Sequence, residues 1–137
     1  MAYSNFYGRF YVIRQNVRAA FASVWNFYPS RWYFGIAIFL QLIAWFEAFF
    51  IQHNLTGSFL VLHYNVDFGI DLVGDPSQIF FYPLVGLGIL ALNTIVAAAL
   101  NRQKDFRIFV HFLLGASVVF ALFLNLVLLF IYLINFR

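Results

Sequence analysis

Residues 109–134 read FVHFLLGASVVFALFLNLVLLFIYLI. This run decides the fold class. A helix rising ~1.5 Å per residue needs only about 20 apolar residues to cross a ~30 Å hydrocarbon core. The run is longer than that, so its helix is expected to tilt or to extend past the core. Two further runs of sufficient length precede it, Trp32 to Ile51 and Ile79 to Leu100. The sequence therefore predicts an all-α integral membrane protein, a single domain over residues 1–137, with three transmembrane helices.

Composition supports this reading. Of 137 residues, 64% are hydrophobic, 23% aromatic and 9% charged. Soluble domains average about 45–50% apolar and ~25% charged. One water-soluble core of this size could not hide so much apolar surface, and disorder would need the opposite composition. With no cysteine, disulfides, thiolate metal sites and catalytic thiols are excluded.

The net charge of +3 is a topological signal rather than a nucleic-acid signature. Arg9, Arg14, Arg18 and Arg31 precede the first run, and Arg102, Lys104 and Arg107 separate the second from the third. The 52–78 segment has no Lys or Arg but holds Asp67, Asp71 and Asp75. The positive-inside rule then places the N-terminus and the 101–108 loop in the cytoplasm and the 52–78 loop outside the cell (inner) membrane.

Before the first run, Phe6, Phe10, Ile13, Val17, Phe21 and Val24 recur at helical spacing, with Gln15, Arg18, Ala22 and Asn26 on the other side. Residues 3–28 are expected to form an amphipathic helix in the inner interface, with Arg9, Arg14 and Arg18 toward anionic lipid. A cytoplasmic helix packed on a partner is the other reading. Pro29 is expected to end this helix and Ser30 to cap the first span. Asp75-Pro76-Ser77-Gln78 reads as a helix start, with Asp75 capping, Pro76 at the first position and Gln78 reaching back. Pro83 should kink the second helix, and Asp105 should cap the third.

Four polar side chains interrupt the spans: Gln41, Glu47, Asn93 and Asn125. Their depths permit Gln41–Asn93 and Glu47–Asn125 contacts. Ala37, Gln41, Ala44 and Ala48 form a stripe in the first helix, Asn93 and Ala97 in the second, and Ser117, Ala121 and Asn125 in the third. Such stripes read as a packing seam. Glu47, the one carboxylate within a span, is also a candidate proton- or ligand-handling group. His111 reads as an interfacial hydrogen-bonder.

The apolar 52–78 loop is expected to fold back over the helix ends as a small cap. Residues 58–64 read as extended, and Asn65, Asp67, Gly69, Asp71 and Gly74 as tight turns. His53, His63, Asp67 and Asp71 are candidate metal ligands, although the glycines argue against one continuous helix that would align them.

The motif His63-Tyr64-Asn65, a short gap and Gly69-x-Asp71, set between two membrane helices, resembles the small bacterial membrane domain of the immunity protein against the sporulation-delaying toxin. The likeness covers residues 35–100. It departs from the family in lacking a proline near His63 and a lysine before the second helix, and in a shorter Gly-to-Asp gap. It implies a prokaryotic membrane protein with an ordered outer loop, and it does not carry toxin immunity over to this chain.

The function expected on these grounds is non-catalytic: binding of a membrane-protein partner, a peptide or a second copy through the outer loop and helix seam, with no cofactor and no nucleic acid. One alternative is an oligomeric transporter or channel component using Gln41, Glu47, Asn93 and Asn125. Another is an outer-face metal-dependent enzyme, although no nucleophile motif, metalloprotease motif or phosphate-binding glycine loop is present.

Overall fold

The computed structural model describes residues 2–65, 67 and 69–136, and among them the side chains of all but residues 2–7, 64 and 65. Helix α1 spans Ala2–Asn26 and helix α2 Tyr28–Asn54. Strands β1 (Leu60–Asn65) and β2 (Gly69–Gly74) form an antiparallel hairpin. A 3-10 turn, Pro76–Phe80, leads into α3 (Phe81–Ala99), and α4 covers Phe106–Asn135. The described chain is predominantly helical, and three of its segments are long and apolar enough to cross a membrane: Tyr28–Asn54, Pro76–Ala99 and Phe106–Asn135. The first and third extend beyond their apolar runs at both ends, and the second begins three residues before its run and ends one residue short of it.

The bundle forms around a seam with a regular period. On α4 the buried residues are Val110, Leu114, Ser117, Ala121, Leu124, Leu128 and Ile131. On α2 they include Ala37, Gln41, Ala44, Ala48 and Ile51. Both series alternate steps of four and three, the 3.5-residue repeat of a left-handed helix pair. Chain direction makes α2 and α4 parallel, with α3 antiparallel to both. Small residues on α2 face larger ones on α4, which lets the backbones approach. The expected stripes on all three helices thus lie at the interior: Ser117 and Ala121 are buried, as is Ala97, while Asn93 and Asn125 are half-buried.

Two apolar clusters close the ends. At the hairpin end, Ala44, Ala48, Ile51, Leu60, Ile79, Leu128 and Ile131 pack together. At the opposite end Val24 from α1 inserts among Ala97, Ala98, Val110 and Leu114. Of the expected apolar face of α1, only Val24 is covered. Phe10, Ile13, Val17 and Phe21 are exposed, and the Phe6 side chain lies outside the described residues.

Several local expectations are corrected. Pro29 does not end α1. The break falls at Phe27, whose extended backbone precedes α2, and Pro29 sits in the first turn of α2, where helix N–H groups have no internal partner to lose. Ser30 is not the cap: Phe27 holds that position without a side-chain bond, and the Ser30 hydroxyl is buried with no hydrogen-bond partner. Instead Arg31 secures the α1–α2 corner. Its Nε donates to the Trp25 carbonyl at 3.1 Å, and its guanidinium carbon lies 5.8 Å from the Trp25 ring centre.

Asp75 caps as expected, accepting from the Ser77 backbone N–H at 2.8 Å, with Pro76 in the first turn. Gln78 does not reach back to complete a capping box; its side chain lies against Gly74. The turn that follows is 3-10 rather than α. Pro83 falls in the first turn of α3, so the expected mid-helix kink is replaced by a change of helix type at Phe80 and Phe81. Asp105 occupies the N-cap position of α4 but makes no side-chain cap bond. The 69–74 segment, read as turns, is a strand: only Gly69, at φ +78°, takes the left-handed backbone that favours glycine.

Candidate functional site

Gln41, Asn93 and Asn125 each donate from their side-chain amide nitrogens, but not to the partner that depth alone suggested. Gln41 Nε2 on α2 donates to the Pro83 carbonyl of α3. Asn93 Nδ2 on α3 donates to the Leu113 carbonyl at 3.1 Å and to Ser117 Oγ at 2.9 Å, both on α4. Asn125 Nδ2 on α4 donates to the Leu40 carbonyl of α2 at 3.2 Å and to Ala121 within its own helix at 2.7 Å. The Gln41–Asn93 and Glu47–Asn125 contacts are therefore not formed. Instead each of the three helix interfaces holds one amide aimed at a neighbouring main chain. The Pro83 carbonyl and the close approach at Gly86 shape the first of these: a Cβ on Gly86 would lie 2.6 Å from Gln41 Oε1 and 2.7 Å from Leu124 Cδ1.

Glu47 stands apart from this network. Its Oε2 is buried and has no hydrogen-bond partner, and Asn125 Oδ1 is in the same state. Glu47 lines a half-enclosed cavity of about 140 Å³ between α2 and α4, with Phe46, Phe50, Ile51, Leu128, Leu129 and Tyr132. The rings form a continuous wall: Phe46 stacks on Phe50 at 6.3 Å between centroids, and Phe50 meets Tyr132 at 5.9 Å.

The hairpin is fastened to the bundle by a residue the sequence reading overlooked. Asn135, in the last turn of α4, accepts from the Val61 N–H at 2.9 Å and donates to the Val61 carbonyl at 2.9 Å. One side-chain amide thus imitates a short stretch of a third strand on the outer edge of β1. The only signal in the sequence was a lone Asn closing a long apolar helix. Leu60 is fully buried and Leu62 packs against the same cluster, so the loop does fold back over the helix ends. Strand β2 does not pack similarly: Ile70, Leu72 and Val73 are about half exposed, and its far edge pairs with no other strand among the described residues.

Within the hairpin motif, His63 Nδ1 and Asp71 Oδ1 lie 2.6 Å apart across the two strands, both exposed. Asp67 lies at the turn. The side chains of Tyr64 and Asn65 lie outside the described residues. His53, at the end of α2, stacks on Phe49 at 5.9 Å rather than joining His63 and Asp71. Among the described residues no three His, Asp or Glu side chains converge as a metal site would require. Asp75 is held below the usual carboxylate range by hydrogen bonds from the Ser77 side chain and backbone.

At the opposite end, Arg9, Arg14 and Arg18 are exposed, and Arg14 and Arg18 share a polar depression with Tyr11 and Gln15. Arg102, Lys104 and Arg107 are exposed in and beside the turn between α3 and α4. His111 bonds to the Tyr33 hydroxyl at 2.9 Å, joining α4 to α2 at this end as an interfacial hydrogen-bonder would.

The fold and site define a small helical protein with three potential membrane spans, an amide-joined seam and a hairpin at one end. No family model, curated protein or solved structure matches the chain.

Proposed function

We propose that this is a non-catalytic protein of the cell membrane whose outer hairpin binds a membrane-protein partner. The observation that supports it most is the asymmetry of the hairpin. Strand β1 is locked to α4 through Asn135 and Leu60, whereas β2 presents Ile70, Leu72, Val73 and an open edge. An open edge of this kind accepts an extended segment by strand addition, with main-chain hydrogen bonds for affinity and side-chain contacts for specificity. The amide donors of Gln41, Asn93 and Asn125 are engaged inside the bundle, which leaves the hairpin as the surface best suited to a partner.

The orientation follows the charges. The arginine-bearing N-terminal helix and the 101–105 turn lie at one end of the bundle, and the hairpin with Asp71 and Asp75 at the other. Asymmetry of this sign puts the basic end in the cytoplasm. Helix α1 then lies along the inner interface, with Phe10, Ile13, Val17 and Phe21 in lipid and Arg9, Arg14 and Arg18 near anionic headgroups. Kinship with the immunity-protein domain is part of the same proposal, supported by an ordered hairpin carrying His63, Gly69 and Asp71 between two long apolar helices.

Photocrosslinking tests this reading. A photoreactive residue at position 70 or 72 should give a discrete adduct in native membranes, either with another membrane protein or with a second copy. The same group at Phe123, on an outward face of α4, should give none. No adduct from the hairpin, or adducts as strong from position 123, would contradict it.

A further inference from the structure

An open-sided cleft of about 620 Å³ lies between the hairpin, α2 and the start of α3. Leu62 and Leu72 line it from the two strands, Trp45 from α2, and Phe80, Tyr82 and Leu84 from the 3-10 turn and α3. Trp45 and Phe80 stack at 5.8 Å between centroids, and none of the lining side chains is charged.

Strand geometry sets what this cleft can meet. Successive side chains alternate between the two faces of a sheet. Leu62 and Leu72 turn to the cleft, while their neighbours His63 and Asp71 meet each other at 2.6 Å. A strand added along the free edge of β2 carries the same alternation. Its residue beside Leu72 comes within about 4.5–5.5 Å, Cβ to Cβ, on the cleft face, and the next residue falls on the Asp71 face. The cleft has room for more than one ring-bearing side chain at roughly 150 Å³ each. Pockets for alternate side chains are what give strand addition its specificity.

Charge selects the other face. The 52–78 segment carries Asp67, Asp71 and Asp75 and no Lys or Arg, and Arg137, beyond α4, lies outside the described residues. Basic residues on an added strand meet a complementary field there. The β2 strand of a second copy would bring another Asp71 and no basic residue, and like charges across a strand pair are destabilising.

We propose that the hairpin takes an extended segment of another protein in which basic and large apolar residues alternate, the aromatic side chains entering the cleft beside Leu72 and the basic ones lying on the Asp71 face. This rests on strand addition at β2 and names the chemistry of the strand that is added.

The full chain in phosphatidylcholine nanodiscs is titrated with a short fluorescent peptide of alternating lysine and phenylalanine, with empty discs subtracted, and hydrogen exchange is followed at the amides of residues 70–73. The peptide should bind saturably and slow that exchange. Replacing its lysines by glutamate, or its phenylalanines by alanine, should weaken binding at least about tenfold. A peptide copied from residues 69–74 should bind as weakly. Asp71→Asn should weaken the lysine–phenylalanine peptide about threefold, the scale of an exposed charge pair. Leu84→Trp, which narrows the cleft from an exposed position, should weaken it about tenfold. Equal binding of the glutamate peptide, of the alanine peptide (a cleft covered by lipid instead) or of the 69–74 copy (self-pairing) would overturn the proposal, and slowed exchange at 70–73 would then still uphold strand addition itself. Unchanged binding by either variant, binding that leaves exchange at 70–73 unaltered, or no saturable binding would overturn it as well. Hairpin adducts in native membranes would in that case still support a partner of different chemistry.

Discussion

Two residues test the local physics most sharply. Gly86 lies where Gln41 crosses onto the α3 backbone, and an added Cβ would meet Gln41 Oε1 at 2.6 Å and Leu124 Cδ1 at 2.7 Å. Gly88, two residues on, has nothing within 4 Å of that position. Gly86→Ala should therefore destabilise the bundle by roughly 1–3 kcal/mol through overpacking, whereas Gly88→Ala should be neutral or stabilising by up to about 1 kcal/mol, because alanine is the better helix former. Unfolding of both variants in mixed detergent micelles would reveal the contrast, and equal effects would contradict the placement of Gln41. Asp75 gives a pH-dependent counterpart. Its carboxyl is held below the ordinary range by Ser77, so the cap is fully present above the unfolded-state value and is lost as pH falls through the lowered folded value. The Ser77 amide resonance should move with that titration and should stay still in Asp75→Asn.

At the scale of elements, periodicity explains what was legible. The stripes Ala37–Gln41–Ala44–Ala48 and Ser117–Ala121–Asn125 were readable because a 3.5-residue repeat fixes which face is inside, whatever it meets. Partner identity was not readable, because depth sets height along a helix but not rotation about it. Gln41 and Asn93 lie on different interfaces, and each amide found a main-chain carbonyl of a neighbouring helix rather than another amide. Strand β2 was hidden for a related reason. Gly69, Asp71 and Gly74 drew the turn reading, although Ile70 and Val73 are residues a strand favours, and pairing with β1 decides between the two. Asn135 supplies the test at this scale. Asn135→Leu removes both hydrogen bonds to Val61, each worth about 0.5–1.5 kcal/mol, together with the one to Ile131 in its own helix, and frees the edge of β1. The Val61 amide should then exchange with solvent about tenfold faster or more, while the buried amides of α2 and α4 stay protected. Unchanged exchange at Val61 would show that Leu60 burial alone holds the hairpin.

Over the whole molecule, the balance of surfaces carries the account. Phe39, Phe46, Phe112, Phe123 and Phe130 all point outward with more than half their surface exposed. So broad an apolar exterior is what the proposed lipid setting accounts for. The interior is correspondingly thin: small residues, three amides and a short ladder of leucines. Charge is confined to the ends, apart from Glu47. The most direct measurement of this claim is accessibility of single cysteines, which a cysteine-free chain makes unambiguous. Leu72→Cys on the hairpin and Gln103→Cys in the basic turn, each in intact cells, would be treated with a membrane-impermeant maleimide. The account predicts that position 72 reacts at once and position 103 only after the membrane is permeabilised. Equal reaction at both positions in intact cells would contradict it.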